Sequence, residues 1–358
     1  MKEFTKEAFL ETYQIVPVIE YPNEVPKKTK VSVMVITYNH EKYIGQCLEG
    51  ILMQKTDFDF EVLVGEDDST DGTREVCIKY AEKNPEKIRL FLHARENNIK
   101  LYGIPTGKFN IEYNIYNSKG KYLAICEGDD YWTDPLKLQK QIDFLEANSE
   151  YGLIYSDASL IGENTNELGG KKLYDAQRKR QSRIKNLYKS GSIFWELLEK
   201  NVVNTLTVCL KKELMMDYFS KFPDEEFAYD HRQWLHVASY SKIKYIEEQW
   251  ASYRVHNQGI SKSNGFFDKR SPLVKQSALI HYMSIINFDR DRINKEVFSK
   301  VTYNILLNNN LTRKEKEPII TFFKEHPIFL RYIFNWKLNR LLIRIGSLMS
   351  SAKTLTNV

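Results

Sequence analysis

From Val31 onward, short apolar runs rich in β-branched residues alternate with stretches whose apolar residues recur at helical spacing. That alternation restricts the folds open to the chain more than any other feature. Val31 to Ile36 is apolar at almost every position, and Tyr43 to Gln54 carries Ile44, Cys47, Leu48, Ile51 and Leu52 on one helical face. The pattern repeats with a strand at Phe60 to Val64, a helix after Thr70, a strand at Ile88 to Leu92, a helix near Phe109 to Asn117 and a strand at Tyr122 to Cys126. A helix from Pro135, with Asp134 as its cap, then precedes a strand at Gly152 to Ser156. Such a series predicts an α/β fold with a mostly parallel central sheet flanked by helices.

The 358 residues allow one large core and a remainder, since single cores stop growing at about 250–300 residues. Residues 1–30 are polar, contain Pro17, Pro22 and Pro26, and suit an extended leader. Residues 31–265 form the predicted main domain, in halves 31–157 and 158–265, and residues 266–358 a C-terminal helical extension. Residues 158–190 are polar and basic and predict a long loop. A helix around Ile193 to Glu199, a strand around Thr205 to Leu210 and a helix following Asp230 come next.

A net charge of +5, from 52 basic and 47 acidic residues, is too mild to call for a nucleic-acid partner. Cys47, Cys77, Cys126 and Cys209 lie far apart without metal-ligand spacing and read as buried thiols of a reducing compartment. No apolar run reaches spanning length, so the expected location is the cytoplasm or the inner face of a membrane.

In open α/β sheets, ligands bind beyond the carboxyl ends of the strands. Here those ends carry Thr37-Tyr38-Asn39, Glu66-Asp67-Asp68-Ser69 and Glu127-Gly128-Asp129-Asp130. Clustered carboxylates repel one another, and a site that keeps them ionised needs a hard divalent cation such as Mg²⁺ or Mn²⁺. A solvated turn capping a helix is the plainer reading of Glu127–Asp130. Its place at a strand end between apolar flanks favours a site instead.

The runs VSVMVITYNHEKYIGQCLEGIL, FEVLVGEDDSTDGT and GKYLAICEGDDYWTDPLKLQKQIDFLE, in this order, resemble the inverting nucleotide-sugar glycosyltransferases of family 2, which have the GT-A fold. The resemblance extends from Val31 to Ser261. It implies a nucleotide-sugar donor, here a UDP-sugar, whose nucleoside rests on Thr37, Asn39 and Asp67. Tyr38, Glu66, Arg95 and Asp130 are counted with the donor-binding residues. The stretch after Arg95 departs from the family pattern and leaves that residue's role open. The family's Asp-x-Asp motif, which positions Mn²⁺ or Mg²⁺, falls on Glu127-Gly128-Asp129 with Glu in first place, and His256 is a further metal or phosphate contact. Asp230 matches the catalytic base, with Glu225 and Glu226 as nearby competitors.

The implied acceptor is a saccharide or lipid-linked saccharide in cell-surface glycan synthesis. The Gln-x-x-Arg-Trp motif of processive synthases is absent, which predicts one sugar per encounter. Two rivals stand beside this reading. A sugar nucleotidylyltransferase would carry a Gly-rich basic turn where this chain has Thr-Tyr-Asn-His. An inactive carbohydrate-binding or scaffold homologue would have no need of the acidic positions. The segment Phe334 to Met349 is amphipathic on a helix and could dock onto the chain, pair two protomers into a homo-oligomer, or make peripheral membrane contact.

Overall fold

The computed structural model describes residues 5–101, 104–163, 167–172, 190–223, 230–257 and 266–337. It comprises two compact units, one of Met1–Ile193 with Val202–Lys262 and one of Phe194–Asn201 with Ser263–Val358.

The strands of the first unit are β1 (Ile19–Glu20), β2 (Val31–Thr37), β3 (Phe60–Glu66), β4 (Ile88–Leu92), β5 (Lys100–Leu101), β6 (Ile104–Pro105), β7 (Tyr122–Ile125), β8 (Tyr131–Trp132), β9 (Tyr151–Gly162), β10 (Glu167–Lys172), β11 (Cys209–Lys211) and β12 (Lys242–Val255). The main sheet runs β1-β4-β3-β2-β7-β11-β9-β12-β8, with β10 beside β9. Its parallel body is β4, β3, β2 and β7 together with the β9–β12 pair. β11 is inserted antiparallel between β7 and β9 and joins the two. Strand β2 is buried at every position except Ile36, as suits a β-branched strand covered on both faces.

The covering helices are α1 (Lys6–Tyr13), α2 (Ile44–Leu52), α3 (Thr73–Lys83), α4 (Lys108–Asn117) and α5 (Lys137–Ala147). Val31, Val33, Val35, Phe60, Val62 and Val64 share one core with Ile44, Cys47, Leu48 and Ile51 of α2, Cys77 and Ala81 of α3, and Leu138, Ile142 and Leu145 of α5. The period-two alternation of a strand sends the intervening residues to the other face, where α4 lies. Asn110 of α4 donates to the Gly65 carbonyl at 2.8 Å, and a side chain at Gly65 would overlap Asn110. The four cysteines are buried thiols.

Some stretches differ from the sequence reading. The helix expected from Pro135 with Asp134 as its cap begins at Lys137, with Leu136 at the cap position. Within the expected leader, residues 6–13 form a helix capped by Thr5, because Phe9 is wholly buried against Phe109 and Tyr116 of α4. Ile19–Glu20 then pairs with β4. The expected 158–190 loop begins as strand: β9 runs to Gly162 and β10 folds back on it. Residues 173–189 lie outside the described part.

The second unit holds α6 (Phe194–Glu199), and later α9 (Phe266–Ile285), α10 (Lys295–Leu306) and α11 (Arg313–Glu325); α7 (Lys212–Lys221) and α8 (Asp230–Tyr240) belong to the first. Asn294 caps α10, and a Thr312/Glu315 capping box opens α11. Phe298, Phe322, Phe323 and Phe329 form an aromatic core. Of the amphipathic segment Phe334 to Met349, only 334–337 fall within the described residues. There Trp336 packs on Tyr303, with ring centroids 5.4 Å apart, while Phe334 is 68% exposed. Among the described residues no helix is long and apolar enough to cross a membrane.

Candidate active site

Strands β2 and β3 end in register at Thr37 and Glu66, and β7 ends with Ile125 beside Met34. The Gly128 amide then donates to the Ile36 carbonyl at 3.0 Å, so the segments following three neighbouring strands emerge side by side. Asn39 turns the first through the left-handed region (φ 56°), a conformation Asn tolerates better than most residues. Its amide donates to Ser69 Oγ at 2.9 Å and its Oδ1 accepts from the Thr70 amide at 2.8 Å. The His40 amide reaches Thr73 Oγ1 at 2.8 Å. Asn39 and His40 therefore stitch the first loop to the second.

The second loop separates two carboxylates that look alike in the sequence. Glu66 is wholly buried and turned into the protein, one oxygen on the Ser69 amide (2.7 Å) and the other on Arg74 Nε (2.5 Å). Asp67 pairs with Arg95 and accepts from Asn98 Nδ2 at 3.0 Å. Burial raises its pKa to about 6 despite the Arg95 charge. Arg95 lies over the half-exposed Tyr38 ring, 4.0 Å from its centroid. Asp67, Arg95 and Tyr38 thus form one polar, aromatic-edged cluster, while Thr37, Asn39 and Glu66 hold the loops that carry it.

In the third loop each carboxylate has a different environment. Asp130 is buried and faces inward, accepting the Arg254 amide at 2.7 Å. The Arg254 guanidinium donates to the Asp129 carbonyl at 2.8 Å and to Gln46 Oε1 at 2.6 Å, and stacks over Tyr43 at 4.6 Å. Asp130 and Arg254 accordingly clamp the acidic turn to β12. Burial, with the charges of Asp129 and Glu127, holds the Asp130 pKa well above the usual carboxylate range. Burial works in the same direction on Asp129, but the hydrogen bond from His256 and the nearby His40 and His256 rings outweigh it and leave this group below its ordinary value.

Asp129 is the centre of a cluster. His256 Nε2 lies 2.9 Å from its Oδ2 and His40 Nε2 3.9 Å, and one ligand atom from each of the three lies within 4.8 Å of the others. Burial depresses the His40 pKa, which favours the neutral imidazole that ligates metals. Beside the cluster, Glu127 Oε2 is buried without a hydrogen-bond partner among the described residues. Burial and the charges of Asp129 and Asp230 raise the Glu127 pKa to about 8. Two imidazoles, an ionised carboxylate and a carboxyl oxygen lacking a partner form a donor set that fits a divalent cation. Sequence reasoning missed His40. Its one signal was Gly128, where any side chain would collide with Thr37 and His40.

Asp230 is the first residue of α8, and its Oδ1 accepts the His231 amide at 2.5 Å. Its Oδ2 accepts from the Thr205 hydroxyl at 3.0 Å. Thr205 was read as the start of a strand, yet Thr205–Thr207 is a 3₁₀ turn and the strand begins at Cys209. Glu225 and Glu226 lie outside the described residues.

Residues 32–200 match the family model described as Glycosyl transferase family 2. An uncharacterized protein of Mycobacterium tuberculosis is 33% identical over 242 residues, 67% of this chain and 62% of the relative. The chain thus spans less than two thirds of that relative's length. A Bacillus subtilis protein named as a candidate teichuronic acid biosynthesis glycosyltransferase, TuaG, is 25% identical over 259 residues, 72% of this chain and 91% of that one. A solved structure of Staphylococcus aureus TarS 1–349 with UDP-GlcNAc aligns with a TM-score of 0.49 at 18% identity, over 88% of this chain and 92% of the other.

Proposed function

Because residues 32–200 match the glycosyl transferase family 2 model and the sheet is mostly parallel with helices on both faces, we propose that this chain is a glycosyltransferase of that family with the GT-A fold, and that it moves a sugar from a nucleotide-sugar donor, a UDP-sugar, to a hydroxyl of a saccharide or lipid-linked saccharide, inverting the anomeric centre. The observation that carries the proposal is the His40–Asp129–His256 cluster beside the partnerless oxygen of Glu127. Asp129, His256 and His40, with Glu127, would hold Mn²⁺ or Mg²⁺. A cation there supplies charge stabilisation for the leaving nucleoside diphosphate.

The chain's own residues supply the rest. Asp67, Arg95 and Tyr38 receive the nucleoside, with donor and acceptor groups for the base or ribose and an aromatic edge. Asp230 takes the proton of the acceptor hydroxyl as that oxygen bonds to the anomeric carbon. The bond from the anomeric carbon to the phosphate oxygen breaks with its electron pair staying on the diphosphate. One displacement of this kind inverts the centre. The resemblance to a teichuronic acid glycosyltransferase supports a product in cell-surface polysaccharide.

Thermal unfolding with UDP, GDP and their sugars, with and without Mn²⁺, tests the reading. A ligand at a hundredfold excess over its Kd stabilises the fold by about 2.7 kcal/mol, and Asp129→Ala should abolish the Mn²⁺-dependent part. Asp230→Asn should keep donor binding and lose roughly a hundredfold or more in turnover. Mn²⁺-independent stabilisation, or full turnover by Asp230→Asn, would refute the corresponding assignment.

A further inference from the structure

We propose that Thr205 is the positioning residue for the Asp230 carboxylate, a role that rests on the reading of Asp230 as the base. A carboxylate at the first position of a helix can rotate about its Cβ–Cγ bond, and the His231 amide fixes only one of its oxygens. The Thr205 hydroxyl fixes the other, 3.0 Å from Oδ2. An ionised carboxylate only accepts, so Thr205 is the donor. With both oxygens engaged, the carboxylate is held in one orientation about that bond.

A positioning group must itself be held, and the turn around Thr205 is held on three sides. Thr207 Oγ1 donates to the Asn204 carbonyl at 2.8 Å, Trp132 Nε1 to the Leu206 carbonyl at 2.8 Å, and Gln141 Nε2 to the Thr207 carbonyl at 2.8 Å. Trp132 is buried and follows the acidic turn by two residues. Its indole bond to Leu206 and the Thr205 bond to Asp230 make a short path from the Asp129 turn to the base. The path sets the proton acceptor in register with the groups that would hold the donor. Thr205 is partly exposed and Leu206 is buried, so the turn presents this hydroxyl to Asp230 while its apolar neighbour anchors it.

The test compares Thr205→Val, which keeps the shape and removes the donor, with Thr205→Ser, which keeps the donor, and with Asp230→Asn. Full-length protein with Mn²⁺ is assayed for nucleoside diphosphate release from UDP-GlcNAc, UDP-glucose and GDP-mannose, with water as acceptor. Thermal unfolding checks each fold. Loss of one hydrogen bond to a charged group should lower kcat roughly tenfold in Thr205→Val with donor KM unchanged, and Thr205→Ser should restore most of it. Wild-type kcat in Thr205→Val alongside an inactive Asp230→Asn would overturn the positioning role and spare the base. An active Asp230→Asn would overturn both. Equal losses in the Val and Ser variants, or a loss confined to KM, would reduce Thr205 to a packing residue.

Discussion

A β-carbon at Gly128 would stand 2.7 Å from Thr37 Oγ1, 2.8 Å from Thr37 Cβ and 2.9 Å from His40 Nδ1. Carbon atoms in contact normally sit about 3.5–4 Å apart, so in Gly128→Ala the gap to Thr37 must open by roughly 0.7–1.2 Å. Thr37 is poorly able to retreat. It is paired with Glu66 in the parallel ladder, and its carbonyl accepts the Asp67 amide at 3.1 Å. Since Thr37 cannot yield, the turn carrying the new carbon must itself shift, which changes the separation of Asp129 from His40 and His256. Overpacking of this kind costs about 1–3 kcal/mol, a fall in Tm of roughly 1–4 °C for a chain of this size. Displacing a group that orients a metal site typically weakens binding by about 10–100-fold. Gly107→Ala is the control, because the nearest atom to its new carbon is Ile36 Cγ2 at 3.8 Å. Thermal unfolding with and without MnCl₂, and Mn²⁺ titration followed by electron paramagnetic resonance in the presence of UDP, measure both effects. Wild-type Mn²⁺ affinity in Gly128→Ala, or an equal loss in Gly107→Ala, would refute the reasoning.

His256→Ala should weaken Mn²⁺ binding by at least about tenfold and His40→Ala by less, since His256 lies 2.9 Å from Asp129 and His40 3.9 Å; unchanged affinity by calorimetric titration in both would remove the imidazoles from the site. Lys137 is wholly buried, over the Trp132 ring at 3.9 Å, and burial lowers its pKa from 10.5 to about 8. Between those values the unfolded chain binds the extra proton, so this residue makes stability rise with pH across that window, by about 3 kcal/mol in all, and contributes no slope below it. Lys137→Met should flatten the rise. Urea midpoints at a series of pH values from neutral upward measure it, and identical slopes in the two proteins would contradict the assignment.

The sheet and the edge that carries the site were readable because two independent patterns coincide. The β-branched runs at Val31, Phe60 and Tyr122 each stop where polar residues begin, and the parallel register brings those three ends together. Which way each polar side chain turns beyond a strand end was not readable. Glu66 and Asp67 are neighbours of like charge, yet Arg74, the second residue of α3, draws Glu66 inward. Nothing in the local pattern distinguishes them. His40 was missed because its role depends on the left-handed turn at Asn39 and on the absent side chain of Gly128, far away in sequence. Phe9 was missed because a few scattered aromatics in a polar, charged stretch give too short a pattern to mark a helix, although Phe9 anchors one of eight residues.

The same dependence on distant partners explains how one turn of sequence supports several tasks. Glu127, Asp129 and Asp130 lie within four residues, and if only local repulsion acted they would be nearly interchangeable. Asp130 is committed to the backbone of β12, so its carboxyl is part of the scaffold. Asp129 is kept charged by two imidazoles from separate segments. Glu127 has an oxygen that no group among the described residues satisfies, and the raised pKa, about 8, favours the protonated carboxyl at neutral pH. A cation at Asp129 would reverse the local electrostatics, favouring the ionised form of Glu127 and giving that oxygen a partner. In the absence of a cation, the burial of Glu127 is an unrecovered cost in folding, and binding is the event that would offset it.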